Sequence, residues 1–409
     1  MFACATIVAK SYLSFARVLA RSFRDHHPAV PFFVLLADEV DGWFDPAREP
    51  FELIHLSDLG IPHLERFRFH YTQQPLSYAA TPYLLSSLID RGFSTVVFIK
   101  QESLVLSSLA SLVARLETSS IVLTPHLVAP LEGEDGIARE LNILLSGCFN
   151  VGILGISAGA ETDRFLRWWQ DRVRTDCRHA VTEGLHYEQR WLDLVPALFE
   201  GVHILRDPAY NIGHWNLPER TVVVRGDSVF VEGESCRLFR FSGFDPDEPQ
   251  WISKYSRRVT ADTVGAAGLV FDRFRSALYS EGYGDTKTWP YAYGSFDTGV
   301  AVPDVTRHLY LQVGDPERFG DPLRASLPDS YMHWLNENVD GPVRREDTVT
   351  RLWHAIYGWR PDVQRAFPDV LGADREAFLN WSVQYGAHEH RVSDEFLPHL
   401  LVQGAGCPD

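Results

Sequence analysis

The sequence predicts a doubly wound α/β sheet carrying a helical extension at its C-terminal end. Three observations point there. Short, uninterrupted apolar runs recur with helical stretches between them, a Gly- and Pro-rich segment follows at 282–305, and the pattern beyond residue 325 is helical. Strands buried on both faces read as continuous apolar runs, and their alternation with helices separates a wound sheet from segregated α and β regions.

In chain order the runs are "CATIVA" (4–9), "FFVLLAD" (32–38), "FELIHL" (51–56), "TVVFI" (95–99), "IVLTP" (121–125) and "NVGILGIS" (150–157). Each reads as a buried parallel strand. Between the first two, Leu13, Ala16, Val18, Leu19 and Phe23 make a helical stripe that ends before Pro28. A second helix is expected at 79–91, closing at Gly92. A long one is expected at 160–178, with Phe165, Leu166, Trp168, Trp169 and Val173 on its apolar face, and another at 187–199. "VHILRDPAYNIGHWNL" and "LFRFSGF" then read as short strands feeding loops of the composition that often carries function. The clearest later helices are "YMHWLNENV", "TVTRLWHAIYGW" and "ADREAFLNWSVQYG". Residues 1–320 are therefore expected to form the α/β domain and 325–409 a helical subdomain.

With 409 residues, 45% of them hydrophobic, the chain has ample material for a large core. A formal charge of -16 argues against general nucleic-acid binding, while leaving a compact anionic ligand open at a local basic site. Five scattered cysteines without a CxxC pair suggest neither a disulfide framework nor a zinc site, which fits a reducing cytoplasm. Lys10, Ser11, Arg17 and Arg21 interrupt the apolar N-terminus, and no run of about eighteen apolar residues predicts a spanning helix.

The strand "TVVFIKQESLV" delivers Lys100 and Glu102 to its carboxyl end, the edge where open α/β sheets bind ligands. Taken in order, "YLSFARVLARSFRDHHP…FFVLLAD", "FIKQESLVL", "LTPHL", "SGCFNVGILGI", "EQRWLDLVP", "DPAYNIGHWNL" and "FRFSGFDP" resemble a bacterial family of GT-A-type glycosyltransferases across roughly the first 300 residues. The tail "WRPDVQRAFPDVLGADREAFLNW" is similar to helical segments found beside such enzymes. The resemblance implies a GT-A-like fold, a nucleotide diphosphate sugar as donor and an unspecified glycan, protein or small molecule as acceptor.

In metal-dependent members an Asp-x-Asp element holds Mg²⁺ or Mn²⁺ against the leaving diphosphate. Here that triplet is Lys100, Gln101 and Glu102, and the family's "HFSGF" histidine is Arg240. Protonated lysine and arginine have no lone pair for a cation, so no conventional metal site and no cofactor are expected. Two readings follow. In one, Lys100 and Arg240 replace the metal charge, the lysine as a compact point charge and the arginine as a planar fork for phosphate oxygens. In the other, the site has degenerated and the chain is a sugar-nucleotide or glycan-binding protein. A third arrangement keeps Mg²⁺ on Glu102, with waters and substrate oxygens completing the shell.

The resemblance also places Glu188 and Gln189 at the family's Asp-Gln position. Glu188 is there either the reaction-centre carboxylate or a charge compensating a helix start. Asn150, Gly152, Gln189 and Asn211 are expected to position the sugar, with Gly152 permitting a close approach. His214 and Trp215 suit a sugar face or simple packing. Tyr12 and Asp38, at the ends of the first two strands, are either base and ribose contacts or a loop and a strand terminator. Ser77 and Thr81 lie on the segment that flanks the donor, while Glu102, Ser242 and Gly243 fall on donor-binding motifs. The "HEH" at 388–390 reads as an exposed turn, and GxxxxGK[ST] does not occur.

Overall fold

The computed structural model describes residues 1–256, 258–339 and 348–398. The chain forms two compact units, one of residues 1–61 and 73–291, the other of residues 62–72 and 292 onward. The expected boundary at 320/325 therefore falls earlier, within the Gly- and Pro-rich segment. Arg307 supplies a physical reason: its buried guanidinium donates to the carbonyl oxygens of Phe69, Tyr71 and Tyr293, which ties the helix Leu64–His70 and residue 293 to the helix Asp304–Gln312.

The first unit is built on a seven-stranded mixed sheet, so the expected α/β class holds. Its strands include β1 (Phe2–Val8), β2 (Phe32–Leu36), β3 (Glu52–His55) and β4 (Thr95–Ile99). After β5 (Ser103–Val105), which lies outside this sheet, come β6 (Ile121–Pro125) and β7 (Phe149–Ser157). The order across the sheet is Val202–Ile204, β6, β7, β4, β1, β2, β3. Every pairing is parallel except those of β7, which runs antiparallel to both β4 and β6. The parallel direction expected for 150–157 is thus corrected. A strand buried on both faces has the same apolar run in either direction, so the run carries no sign of which way it points. The reversal matters because the start of β7 lies at the same edge as the ends of β4 and β6.

Helix α1 (Leu13–His26) follows its predicted stripe, burying Leu13, Ala16, Leu19 and Phe23 with β1 and β2 side chains, and ends before Pro28. The helix expected at 79–91 covers Thr81–Asp90 and stops where Gly92 adopts φ +95°, a left-handed turn that glycine takes without steric cost. The third spans Ala160–Val173. The helix expected at 187–199 is broken into a 3-10 turn, Arg190–Leu194, and one α-turn, Val195–Leu198. Tyr187 at φ +51° cannot start a regular helix, and Pro196 has no N–H to carry one through. The helix Gly136–Ser146 and the antiparallel strands Val222–Arg225, Ser228–Val231 and Glu234–Ser235 were not anticipated.

In the second unit, Tyr331–Leu335, Arg351–Gly358 and Arg375–Trp381 occupy the three expected helical segments. Ser330 and Thr350 cap the first two by accepting from the N–H groups of His333 and Trp353. The "HEH" residues end a short helical turn, where Arg360 reaches Glu389 at 2.7 Å and His390 at 3.0 Å.

The ends of β1 and β2 are joined by a buried ion pair: Lys10 Nζ lies 3.1 Å from Asp38 Oδ1 and 3.0 Å from Asp41 Oδ2. Asp38 also accepts from the backbone N–H groups of Lys10 and Glu39. Removing one partner of such a pair leaves a charge in the interior. Asp38→Ala is therefore expected to lower unfolding stability by about 3 kcal/mol in urea titrations. An unchanged midpoint would contradict this structural role.

Candidate functional site

The site is assembled where the carboxyl ends of β4 and β6 meet the start of β7. The Lys100 N–H still donates to the Gly152 carbonyl at 3.0 Å, so the backbone of this lysine is fixed to β7. Its side chain turns inward. Lys100 Nζ lies 2.6 Å from Oε1 of Glu188 and 3.7 Å from the centre of the Tyr78 ring, a cation–π contact. Glu188 is completely buried. Neither of its carboxylate oxygens accepts a hydrogen bond in proper geometry among the described residues, so Oε1 is held by the nearby ammonium charge and Oε2 is left without a partner.

Arg240 ends the strand Leu238–Arg240, which pairs antiparallel with β5 and sets Arg240 opposite Ser103. Its guanidinium is buried, and Nη1 donates to the Lys100 carbonyl at 3.1 Å and to Ser103 Oγ at 2.8 Å. Nε has no hydrogen-bond partner among the described residues. Burial pulls the pKa of this group down, while Glu102, Tyr78 and Glu188 oppose the shift. Arginine nevertheless stays protonated. A β-carbon at Gly152 would lie 2.7 Å from Arg240 Nε and 2.3 Å from Asn150 Oδ1. The close approach that Gly152 permits is therefore that of an arginine, where a ligand was expected.

A cavity of about 800 Å³ opens over these groups. Its cationic lining side chains are Lys100, Arg139, Arg240, Lys254 and Arg258, and its carboxylates are Glu102 and Glu188. Arg139 is paired with Glu219, and Arg258 with Asp135. Three cations thus face two carboxylates, a local positive excess on a chain of formal charge -16. Half-buried Glu102 has its carboxyl pushed up by burial and pulled down by Arg240, Lys100 and Lys254. Burial lowers His126 to about 3, and His186 and His214 to about 4, so all three are neutral at pH 7. His126 Nδ1, His186 Nδ1 and Trp215 Nε1 are buried without a partner among the described residues, the condition of groups that a polar ligand or water would satisfy.

The structure brings Lys100, Glu102, Asn150, Glu188, Gln189, Arg240, Ser242, His214 and Trp215 to this one cavity. Several of them are already occupied. Asn150 Oδ1 accepts from the Gly152 N–H at 2.6 Å, and its Nδ2 lies 2.8 Å from His126 Nε2. Gln189 accepts from the Val151 N–H at 3.2 Å and donates to the Ser146 carbonyl at 2.9 Å, which makes it a brace for β7.

The cavity walls do not include Tyr12, Asp38, Ser77, Thr81, Asn211 or Gly243. Tyr12 packs on Phe15 with ring centres 5.1 Å apart, and burial pushes its hydroxyl up to about 12. Ser77 donates to the Gln73 carbonyl within its own helix, and Thr81 is fully buried. Asn211 sits at φ +54° and donates to the Pro125 carbonyl, while its Oδ1 is buried without a partner among the described residues. Gly243, at φ +74°, lies where a β-carbon would be 2.6 Å from the Tyr255 ring, so it seats a tyrosine that does line the cavity.

Sequence reasoning missed Tyr78, His126, His186, Lys254 and Tyr255. His126 was within reach of the rule that singled out Lys100, because it directly follows the β6 run. Tyr78 neighbours the flagged Ser77, but nothing in the linear order tells which of the two faces inward.

Among the described residues no three His, Cys, Asp or Glu side chains converge, and the Lys100 ammonium stands against one of the cavity's two carboxylates. Among the described residues no helix is long and apolar enough to cross a membrane, and Cys4, Cys148 and Cys236 form no disulfide.

No protein-family model matches the chain. It is 32% identical over 101 residues to the uncharacterized protein YfnF of Bacillus subtilis (strain 168), an alignment covering 24% of this chain and 33% of that protein. The chain thus spans about a third of that relative's length. A second uncharacterized protein of the same organism, YfnD, is 22% identical over 251 residues, 59% of this chain and 78% of its own. Among solved structures, the galactosyltransferase LgtC in complex with donor and acceptor sugar analogs is similar at 15% identity, over 68% of this chain and 96% of that one, with a TM-score of 0.39. The glycosyltransferase GlyE of Streptococcus pneumoniae TIGR4 is similar at 14% identity, over 72% and 67% of the two chains, with a TM-score of 0.41.

Because the Gly152 position is filled by Arg240, Gly152→Ala is expected to displace the guanidinium and cost about 1–3 kcal/mol, read from thermal or urea unfolding. Full wild-type stability in that variant would contradict the packing described.

Proposed function

We propose that this chain is a GT-A-like glycosyltransferase that moves a sugar from a nucleotide diphosphate sugar to an acceptor nucleophile without a bound metal, acting in the cytoplasm. The observation that carries the reading is the pair of cations, Lys100 and Arg240, gathered at the sheet edge beside a fully buried carboxylate. The resemblance of the ordered motifs supplies the reaction class, and the positive excess of the cavity supports an anionic donor.

In this reading the bond from the anomeric carbon to the diphosphate oxygen breaks, and its electron pair leaves with the diphosphate. The acceptor oxygen forms the new bond to that carbon, and its proton passes to Glu188. Lys100, reinforced by the fixed charge of Arg240, stabilises the leaving diphosphate, the part a divalent ion plays elsewhere. The neutral histidines and Trp215 offer hydrogen bonds to uncharged hydroxyls without adding charge.

One observation favours the alternative, a degenerate relative that only binds a sugar nucleotide or glycan. Lys100 is already matched to Glu188, and Arg240 Nη1 to protein oxygens, so both principal charges have partners inside the protein.

The two readings separate in turnover. With donor sugars screened as substrates, the wild type is expected to release nucleoside diphosphate in EDTA, and Lys100→Ala and Arg240→Ala to lose about 10²-fold or more of that rate while melting as folded proteins. Undiminished rates in both folded variants would sink the diphosphate assignment. Binding without turnover in the wild type would favour the binding protein.

A further inference from the structure

The contact between Lys100 and Glu188 joins the two groups to which the proposed reaction gives opposite tasks. Lys100 is to meet a diphosphate, and Glu188 a proton. In the ligand-free structure each neutralises the other at 2.6 Å. Both groups line the cavity, but unequally: Glu188 is completely buried and accepts no hydrogen bond in proper geometry among the described residues, whereas Lys100 is 11% exposed and rests on the Tyr78 ring. Of the two, the ammonium is the more accessible to a ligand entering the cavity.

We infer that Lys100 and Glu188 form an exchangeable ion pair, in which a bound diphosphate takes the Lys100 ammonium from Glu188 and thereby releases the carboxylate for the acceptor. The inference rests on the proposed donor class. Its physical basis is competition between two anions for one lysine whose charge has three rotatable donors on a flexible stem. Lysine can swing toward a ligand by side-chain rotation alone, since its backbone N–H is tied to the Gly152 carbonyl. The Tyr78 ring, 3.7 Å below, is a surface over which the ammonium can turn without losing all its stabilisation. Arg240 cannot play this part, because Nη1 is fixed by the Lys100 carbonyl and Ser103.

Two consequences separate exchange from a merely structural pair. Glu188 competes with the ligand, so removing its charge should tighten diphosphate binding even as turnover is lost. That gain should exist only while Lys100 is present. A structural pair predicts the reverse, because its disruption loosens the wall of the cavity and weakens binding.

The experiment is a double-mutant cycle on the full chain, with the nucleoside diphosphates ADP, GDP, UDP, CDP and dTDP titrated calorimetrically in EDTA against the wild type, Glu188→Gln, Lys100→Met and the double variant, with melting temperatures as a check on folding. Exchange predicts that Glu188→Gln lowers the dissociation constant by about tenfold or more, a size in keeping with a close buried charge pair. Lys100→Met should weaken binding, and Glu188→Gln on that background should bring no gain. Equal or weaker binding by folded Glu188→Gln than by the wild type would overturn the exchange while leaving the donor class standing. A gain that persists without Lys100 would also overturn it, since the effect would then be general electrostatics. No binding of any nucleoside diphosphate to any of the four proteins would overturn both the exchange and the donor class on which it rests.

Discussion

Arg240 is the constraint on which the site depends. Its buried guanidinium binds the carbonyl of Lys100 and the hydroxyl of Ser103, so a single side chain fixes the turn between β4 and β5. Burying this charge is tolerable only with such partners, and only because Gly152 leaves the space a β-carbon would fill. The same contact determines where the Lys100 side chain begins. Lys100 in turn provides the charge opposite Glu188, which has no hydrogen-bond donor of its own among the described residues.

The direction of β7 completes the arrangement. Running antiparallel between β4 and β6, it returns its first residues to the edge where those strands end, and so adds Asn150 beside Lys100 and His126. Gln189 holds this corner through the Val151 N–H and the Ser146 carbonyl, and Asn150 through the Gly152 N–H and the His126 ring. They are therefore best understood as the frame that presents charge, with Lys100, Glu102, Glu188 and Lys254 as the groups presented. A cavity with local positive excess on a strongly acidic chain attracts compact anions and disfavours extended polyanions.

Much of the fold was legible because buried strands and amphipathic helices leave strong local signatures. All six apolar runs became strands, and the stripe on α1 and the left-handed glycine after Asp90 set their helix and its end. Strand direction was not legible, since a fully buried run is symmetric. Nor was the break at Tyr187 and Pro196, where an apolar pattern suggested a continuous helix but a positive φ and a missing N–H prevented it. Within the site, the charges at strand ends could be read from position, because topology fixes which edge they occupy. Partner choice could not: Asp38 turned to Lys10, Asn150 to His126, and Lys100 to Glu188, pairings made across 28, 24 and 88 positions of sequence. Tyr78 escaped for the same reason, as its place beneath an ammonium depends on the helix Gln73–Ala79 meeting a distant strand end.

In the proposed reaction, protein cations at the sheet edge take the place of a metal toward a diphosphate. Thermal stabilisation by nucleoside diphosphates and their sugars, each with Mn²⁺ and with EDTA, tests it most directly, since a ligand that binds the folded state raises its melting temperature. Charge supplied by Lys100 and Arg240 gives a rise that is the same in EDTA as in Mn²⁺. A rise that appears only with Mn²⁺ would contradict it, returning the charge at this site to a metal and leaving Lys100 and Arg240 as structural residues.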